Sequence, residues 1–192
     1  MTAAEPRIPP KPISNEAFGM VLFLVVELMF FAGLASTYTV LRTGTANWKP
    51  DGLASLMSPL SMGNTVLLFV SAGSYFFATR ALRREDTVGF RLHLSFTLAL
   101  AVTFVGIQVY ESGRLLDLLP MSDNLFGSVF YTYIGLHALH VVGGVALLAH
   151  VLFHGFRGQY NRYRHTAVTL TGWYWYFVVL VWVFIYLALY VY

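Results

Sequence analysis

Five apolar runs take up about two thirds of this 192-residue chain. Each is long enough to cross the roughly 30 Å hydrocarbon core of a bilayer as a helix. They cover residues 17–41, 60–82, 93–113, 126–153 and 167–192. In lipid every backbone N–H and C=O must find its partner inside the protein, and a helix meets that demand within its own segment. The expected fold class is therefore all-α, an integral membrane bundle of five transmembrane helices. Short loops use up the remaining length, so no soluble domain of useful size is expected.

Composition agrees. Charged residues make up 11% of the chain, against about 25% in soluble domains, so its surface must meet mostly lipid. The chain has no cysteine, which excludes disulfides, iron–sulfur clusters, thiolate-held copper and the C-x-x-C-H haem attachment. Residues 1–16 are polar and carry Pro6, Pro9, Pro10 and Pro12, the composition of an extended arm. The first apolar run is too long for a signal-peptide core and ends without a small-residue cleavage site, so it reads as a retained helix.

Loop charge predicts direction. The arm and the second and fourth loops hold nine basic residues: Arg7, Lys11, Arg80, Arg83, Arg84, Arg91, Arg157, Arg162 and Arg164. The opposite side holds three, Arg42, Lys49 and Arg114. Positive charge stays inside, so the N-terminus is expected in the cytoplasm and the C-terminus outside, in an inner (cytoplasmic) membrane of bacterial type. The net charge of +3 comes from these juxtamembrane residues and does not point to nucleic acid. Arg80, Arg83 and Arg84 form an inner-face cluster suited to topology and to anionic lipid headgroups. Trp48, Trp173, Trp175, Tyr190 and Tyr192 read as an aromatic belt at the two interfaces. Small residues that let helices approach closely recur at Gly33, Ala35 and Ser36, at Ser71, Ala72 and Gly73, and at Gly143, Gly144 and Ala146.

The residues that cost free energy where they sit are the informative ones. Glu27 lies ten residues into the first run, about 15 Å along a helix rising 1.5 Å per residue. A carboxylate there must be protonated or paired. His137 and His140 reach a similar depth in the fourth run and, three apart, are expected to share a face. Either could exchange a hydrogen bond with Glu27, which would ease the burial of both groups; the alternative is that each imidazole bonds a backbone carbonyl. A haem is disfavoured, because axial ligation needs a second helix and only His93 and His165, both near the inner face, lie off the fourth run. Asn64, Gln108 and Glu111, with Ser61, are shallower polar residues near the outer ends of the second and third runs, where helix capping is the default role.

The sequence around these residues resembles the subunit III family of the haem–copper oxidases, cytochrome c oxidase subunit 3. One similar motif falls in each run. They are FGMVLFLVVELMFFAGLASTY from Phe18, GNTVLLFVSAG from Gly63, GIQVYE from Gly106, FGSVFYTYIGLHALHVVGG from Phe126 and GWYWYFVVLVWVFIYLALY from Gly172. Together they match the short, five-helix form. The resemblance implies an accessory subunit of a respiratory oxidase, fed by cytochrome c or by quinol, with no haem or copper of its own, those centres belonging to the catalytic subunit I on which it packs. It implies phospholipid held in a cleft between two groups of helices, and support for proton uptake and durable turnover. It also implies other oxidase subunits as partners, with a respiratory supercomplex left open. The acid matching Glu27 is the family's carbodiimide-reactive carboxyl, and the histidine matching His137 is expected near it. Two positions depart from the pattern W-Y-W-H-F-V-D: Tyr176 stands for the histidine and Val179 for the aspartate. Ala138 replaces a glycine between the two histidines. The alternatives are the related accessory subunit of nitric oxide reductase and a stand-alone proton-coupled transporter. An odd helix count and a single deep acid fit the transporter poorly.

Overall fold

The computed structural model describes residues 14–46, 48, 58–116 and 125–191. Five helices fill them: α1 (Asn15–Gly44), α2 (Pro59–Arg83), α3 (Thr87–Leu116), α4 (Leu125–Phe156) and α5 (Thr166–Tyr186). All five are long and apolar enough to cross a membrane. Each begins or ends outside the limits of its apolar run, because a helix continues past the lipid on residues that hydropathy does not count. The clearest case is α3. It starts at Thr87 rather than near His93, capped by Asp86, whose Oδ1 accepts from the Gly89 amide at 2.8 Å. Most of the expected arm lies outside the described residues. Its end is already structured, with Ser14 capping α1 by accepting from the Ala17 amide at 3.3 Å. The fifth run is not one α-helix to its end, since Leu187–Val191 form a π turn.

Helices α2 to α5 close into a four-helix bundle, and α1 lies outside it, packed on α5 and tied to α4 by side-chain hydrogen bonds. Buried positions on α3 run Phe90, Leu94, Thr97, Ala101, Phe104, Gln108 and Glu111. On α2 they include Ser61, Asn64, Leu68, Ser71, Tyr75, Ala78 and Leu82. Alternating steps of three and four keep one seam facing the partner, the repeat of a left-handed coiled coil. Small residues then set the spacing. A methyl group on Gly144 would come within 2.9 Å of the Trp175 ring, and one on Gly172 within 2.7 Å of Tyr75. Gly33 and Gly73, also expected at close contacts, have nothing within 4 Å. Trp175 departs from the expected belt. It is fully buried, and its indole N–H donates to Ser71 Oγ at 3.2 Å.

The turns on one side of the bundle share a geometry. After α4, the Gly158 amide bonds the Gly155 carbonyl and the Gln159 amide bonds the His154 carbonyl, with Gly158 at φ +70°. After α2, the Glu85 amide bonds the Leu82 carbonyl and the Asp86 amide bonds the Ala81 carbonyl, with Glu85 at φ +64°. Both are the Schellman arrangement, whose left-handed residue is usually glycine. At Glu85 the same turn forms on a residue with a Cβ, and this brief reversal holds α2 and α3 side by side.

Candidate functional site

Helix α1 buries only Phe31 and Tyr38, leaving Val21, Leu22, Val25, Val26 and Met29 outward. Leu24, Phe31, Leu34 and Leu41 pack it on the bundle, and polar ties add to that packing. The Tyr38 hydroxyl donates to the Ala188 carbonyl, in the π turn, at 2.6 Å. The Tyr133 hydroxyl of α4 donates to the Leu34 carbonyl. Between these ties and the start of the helix, Glu27 Oε2 lies 2.9 Å from Nε2 of His140 on α4. Glu27 stands near the middle of α1, and the side chains of His140 and Glu27 are 15% and 19% exposed.

The second nitrogen of the ring decides what passes between them. His140 Nδ1 lies 2.7 Å from the Leu136 carbonyl. A carbonyl only accepts, so Nδ1 carries a hydrogen. Nε2 is then either the acceptor of a neutral imidazole facing a protonated Glu27, or a donor of imidazolium facing a carboxylate. In both cases one proton occupies the line between Nε2 and Oε2, and the pair has no net charge. Aromatic rings shelter it. Phe31 meets the His140 ring edge-on at 5.0 Å and Phe30 lies nearly parallel at 6.4 Å. Tyr174 donates to the His140 carbonyl at 3.0 Å. The acid followed by two phenylalanines in the α1 motif thus supplies both the carboxyl and the rings around its partner.

His137 is not part of this arrangement. A step of three rotates it toward the bundle interior, where it is buried, stacked on Trp182 at 5.1 Å and perpendicular to Phe104 at 6.4 Å. Neither of its nitrogens has a hydrogen-bond partner. The expectation of one shared histidine face, and of the imidazole at 137 beside the acid, is corrected: His140 is the neighbour of Glu27. No cluster of three or more histidine, aspartate or glutamate side chains among the described residues could hold a metal ion.

The shallower polar residues form a seam between α2 and α3. Ser58, the cap of α2, donates to Glu111 Oε1 at 2.7 Å. The Asn64 amide nitrogen reaches the Phe104 carbonyl and Gln108 Oε1, both at 3.3 Å. Glu111 caps no helix end itself; it accepts from Ser58, whose Oγ caps α2 by accepting from the Ser61 amide at 3.0 Å. Asn64 and Gln108 join the helices to each other. Sequence reasoning missed Arg91, which it placed in a loop. Arg91 lies in α3 and its Nε donates to the Gly155 carbonyl at the end of α4, at 3.2 Å. It also missed the tyrosine ties, although hydroxyls on deep aromatic residues would have been the signal for them. Arg80 and Arg83 are exposed in the last turn of α2, and Arg84 is its C-cap.

The cytochrome c oxidase subunit III family profile matches residues 14–192. Cytochrome c oxidase subunit 3 of Synechocystis sp. is 34% identical over 152 residues, which is 79% of this chain and 64% of that protein. The protein of the same name from Thermostichus vulcanus is 33% identical over 154 residues, 79% of this chain and 75% of that one. That of Corynebacterium diphtheriae is 32% identical over 160 residues, 81% and 78% respectively. The chain therefore spans a little under two thirds of the Synechocystis relative and about three quarters of the other two.

Proposed function

The chain belongs to the cytochrome c oxidase subunit III family, and from that membership we propose that it is the accessory subunit of a respiratory haem–copper oxidase of the cytochrome c type. It resides in a bacterial inner membrane with its N-terminus in the cytoplasm. The redox centres belong to the catalytic subunit. This chain contributes a sheltered proton site and a surface for that subunit and for phospholipid, and so supports proton uptake and durable turnover.

The observation that carries the reading is the Glu27–His140 pair. A carboxyl at mid-membrane is costly and tends to mark function. Here it lies on the one helix that stands outside the bundle, where a neighbouring polypeptide can reach it. The large apolar residues on the outer face of α1 supply the surface for that neighbour. Between α1 and α5 runs a groove lined by Leu28, Ala32, Ala35 and Phe184, with cavities of about 290 and 610 Å³ along it. It suits acyl chains. A lipid cleft between two groups of helices, as the resemblance implied, would need a second group from outside the five described helices.

The test begins with purification from the native membrane, which should yield a complex with a large haem-bearing subunit. Recovery of the chain without such a partner would overturn the proposal. Within the complex, Glu27→Ala should leave assembly intact while shortening the period of steady turnover or lowering retained lipid. Unchanged turnover and lipid would reduce Glu27 to a scaffold residue.

A further inference from the structure

Beside the last turns of α2, this helix and α5 enclose a second pocket, of about 290 Å³. Its floor is rigid. The buried Tyr75 ring lies against Gly172, whose missing side chain makes room for it, and the Tyr75 hydroxyl donates to the Val168 carbonyl at 2.5 Å. Tyr176 meets Tyr75 edge-on at 6.1 Å. Phe76 and Trp173 complete the apolar wall and stay half-exposed. Thr79 and Thr169 stand higher, and Arg80 and Arg83 form the mouth. Neither arginine has an acidic partner among the described residues.

The order of these groups along the membrane normal is informative. Arg80 and Arg83 sit in the last turn of α2, and Phe76 lies one turn deeper. Cations at the helix end, hydroxyls below them and aromatic rings deeper still follow the order of an anionic phospholipid: phosphate, glycerol ester, acyl chain. Two guanidinium groups at the mouth, with no acidic partner among the described residues, supply charge complementarity to that one class of occupant. Arg84, next in sequence, does not line the pocket. Tyr176, one of the two departures from the family pattern, does.

We propose that the pocket between α2 and α5 binds one anionic phospholipid, with its phosphate on Arg80 and Arg83 and its acyl chains against Phe76, Trp173 and Tyr176. The site does not depend on the oxidase reading, since it needs only a membrane.

The test uses the protein as purified with its natural partners and reconstituted into nanodiscs of phosphatidylcholine containing a minor fraction of phosphatidylglycerol. Bound lipid is counted by native mass spectrometry. One phosphatidylglycerol should be retained in preference to phosphatidylcholine. Arg80→Gln with Arg83→Gln should weaken its retention about thirtyfold, taking each basic side chain at its usual contribution near a membrane surface. Trp173→Ala should weaken retention of either lipid. Arg84→Gln should change retention less than twofold. A loss in Arg84→Gln equal to that in Arg80→Gln alone or in Arg83→Gln alone would mean a diffuse basic surface and overturn the proposal. So would equal retention of phosphatidylcholine, or a double variant that keeps its lipid. Because the readout is bound lipid, failure here leaves the subunit assignment untouched, and loss of the haem-bearing partner leaves this result interpretable.

Discussion

Removing the carboxyl of Glu27 should loosen α1 by an amount that depends on what replaces it. The His140 ring is held at both nitrogens, at 2.7 Å by the Leu136 carbonyl and at 2.9 Å by Glu27. Interhelical hydrogen bonds in membranes contribute about 0.6 kcal/mol on average and up to about 1.7. A pair with both nitrogens engaged belongs in the upper part of that range, so the coupling should be about 1–1.5 kcal/mol, close to tenfold in an equilibrium constant. Glu27→Ala and His140→Phe should each lose that coupling, and the double variant should lose it only once. Glu27→Gln should behave differently. Its amide can donate to a neutral Nε2, keep the contact and hold the ring, so its stability should lie within about 0.5 kcal/mol of the parent. The assay is unfolding in mixed micelles titrated with sodium dodecyl sulfate, followed by the fluorescence of the four tryptophans. Two results would refute the reasoning. Additive single variants would mean the contact contributes nothing, and a Gln variant as damaged as the Ala variant would mean that a charge, rather than a shared hydrogen, holds the pair.

Three further outcomes are expected. Gly172→Ala places a methyl against the Tyr75 ring and should destabilise the bundle by about 1–3 kcal/mol in the same unfolding assay, whereas Gly73→Ala, with open space around it, should not destabilise it. Glu85→Gly should raise stability by about 1 kcal/mol by relieving the left-handed backbone; a loss would mean that the Glu85 side chain supports the turn. The chain has no cysteine, so an introduced thiol is a unique label. Tyr163→Cys should react with a membrane-impermeant maleimide from the cytoplasmic side and Ala46→Cys from the outside, and the reverse pattern would overturn the charge-based orientation.

The existence of all five helices was legible in the sequence, because the requirement for internal backbone pairing in lipid is so strict. Which face of each helix is buried was harder to read. In a soluble helix the apolar stripe marks the interior, but here lipid makes the outer face apolar as well. The better signal was the polar and small residues. Ser61, Asn64 and Ser71 on α2, with Thr97, Gln108 and Glu111 on α3, fall on the buried seams. The depth of Glu27 followed from counting residues, but its partner did not. Positions three apart on a helix differ by about 60° in direction, and that angle sends His137 to Trp182 and His140 to Glu27. Trp175 misled for the same reason as the apolar faces: a tryptophan near a helix start suits the interface, and only the neighbouring helix with Ser71 reveals that this one points inward. The left-handed turn at Glu85 gave no warning, since neither glycine nor asparagine stands there.

The 2.9 Å spacing between Nε2 of His140 and Oε2 of Glu27 also has an electrical meaning. A hydrogen ion jumping from one atom to the other travels at most about a tenth of the ~30 Å insulating layer. At 100 mV, a charge crossing that whole layer gains or loses about 2.3 kcal/mol, so the jump is worth about 0.2 kcal/mol, well below thermal energy. Energising or collapsing the membrane therefore changes the ratio of occupancy at the two ends by no more than about 1.5-fold. The pair is nearly voltage-silent, and a larger response must come from the chemistry of whatever molecule lies against it.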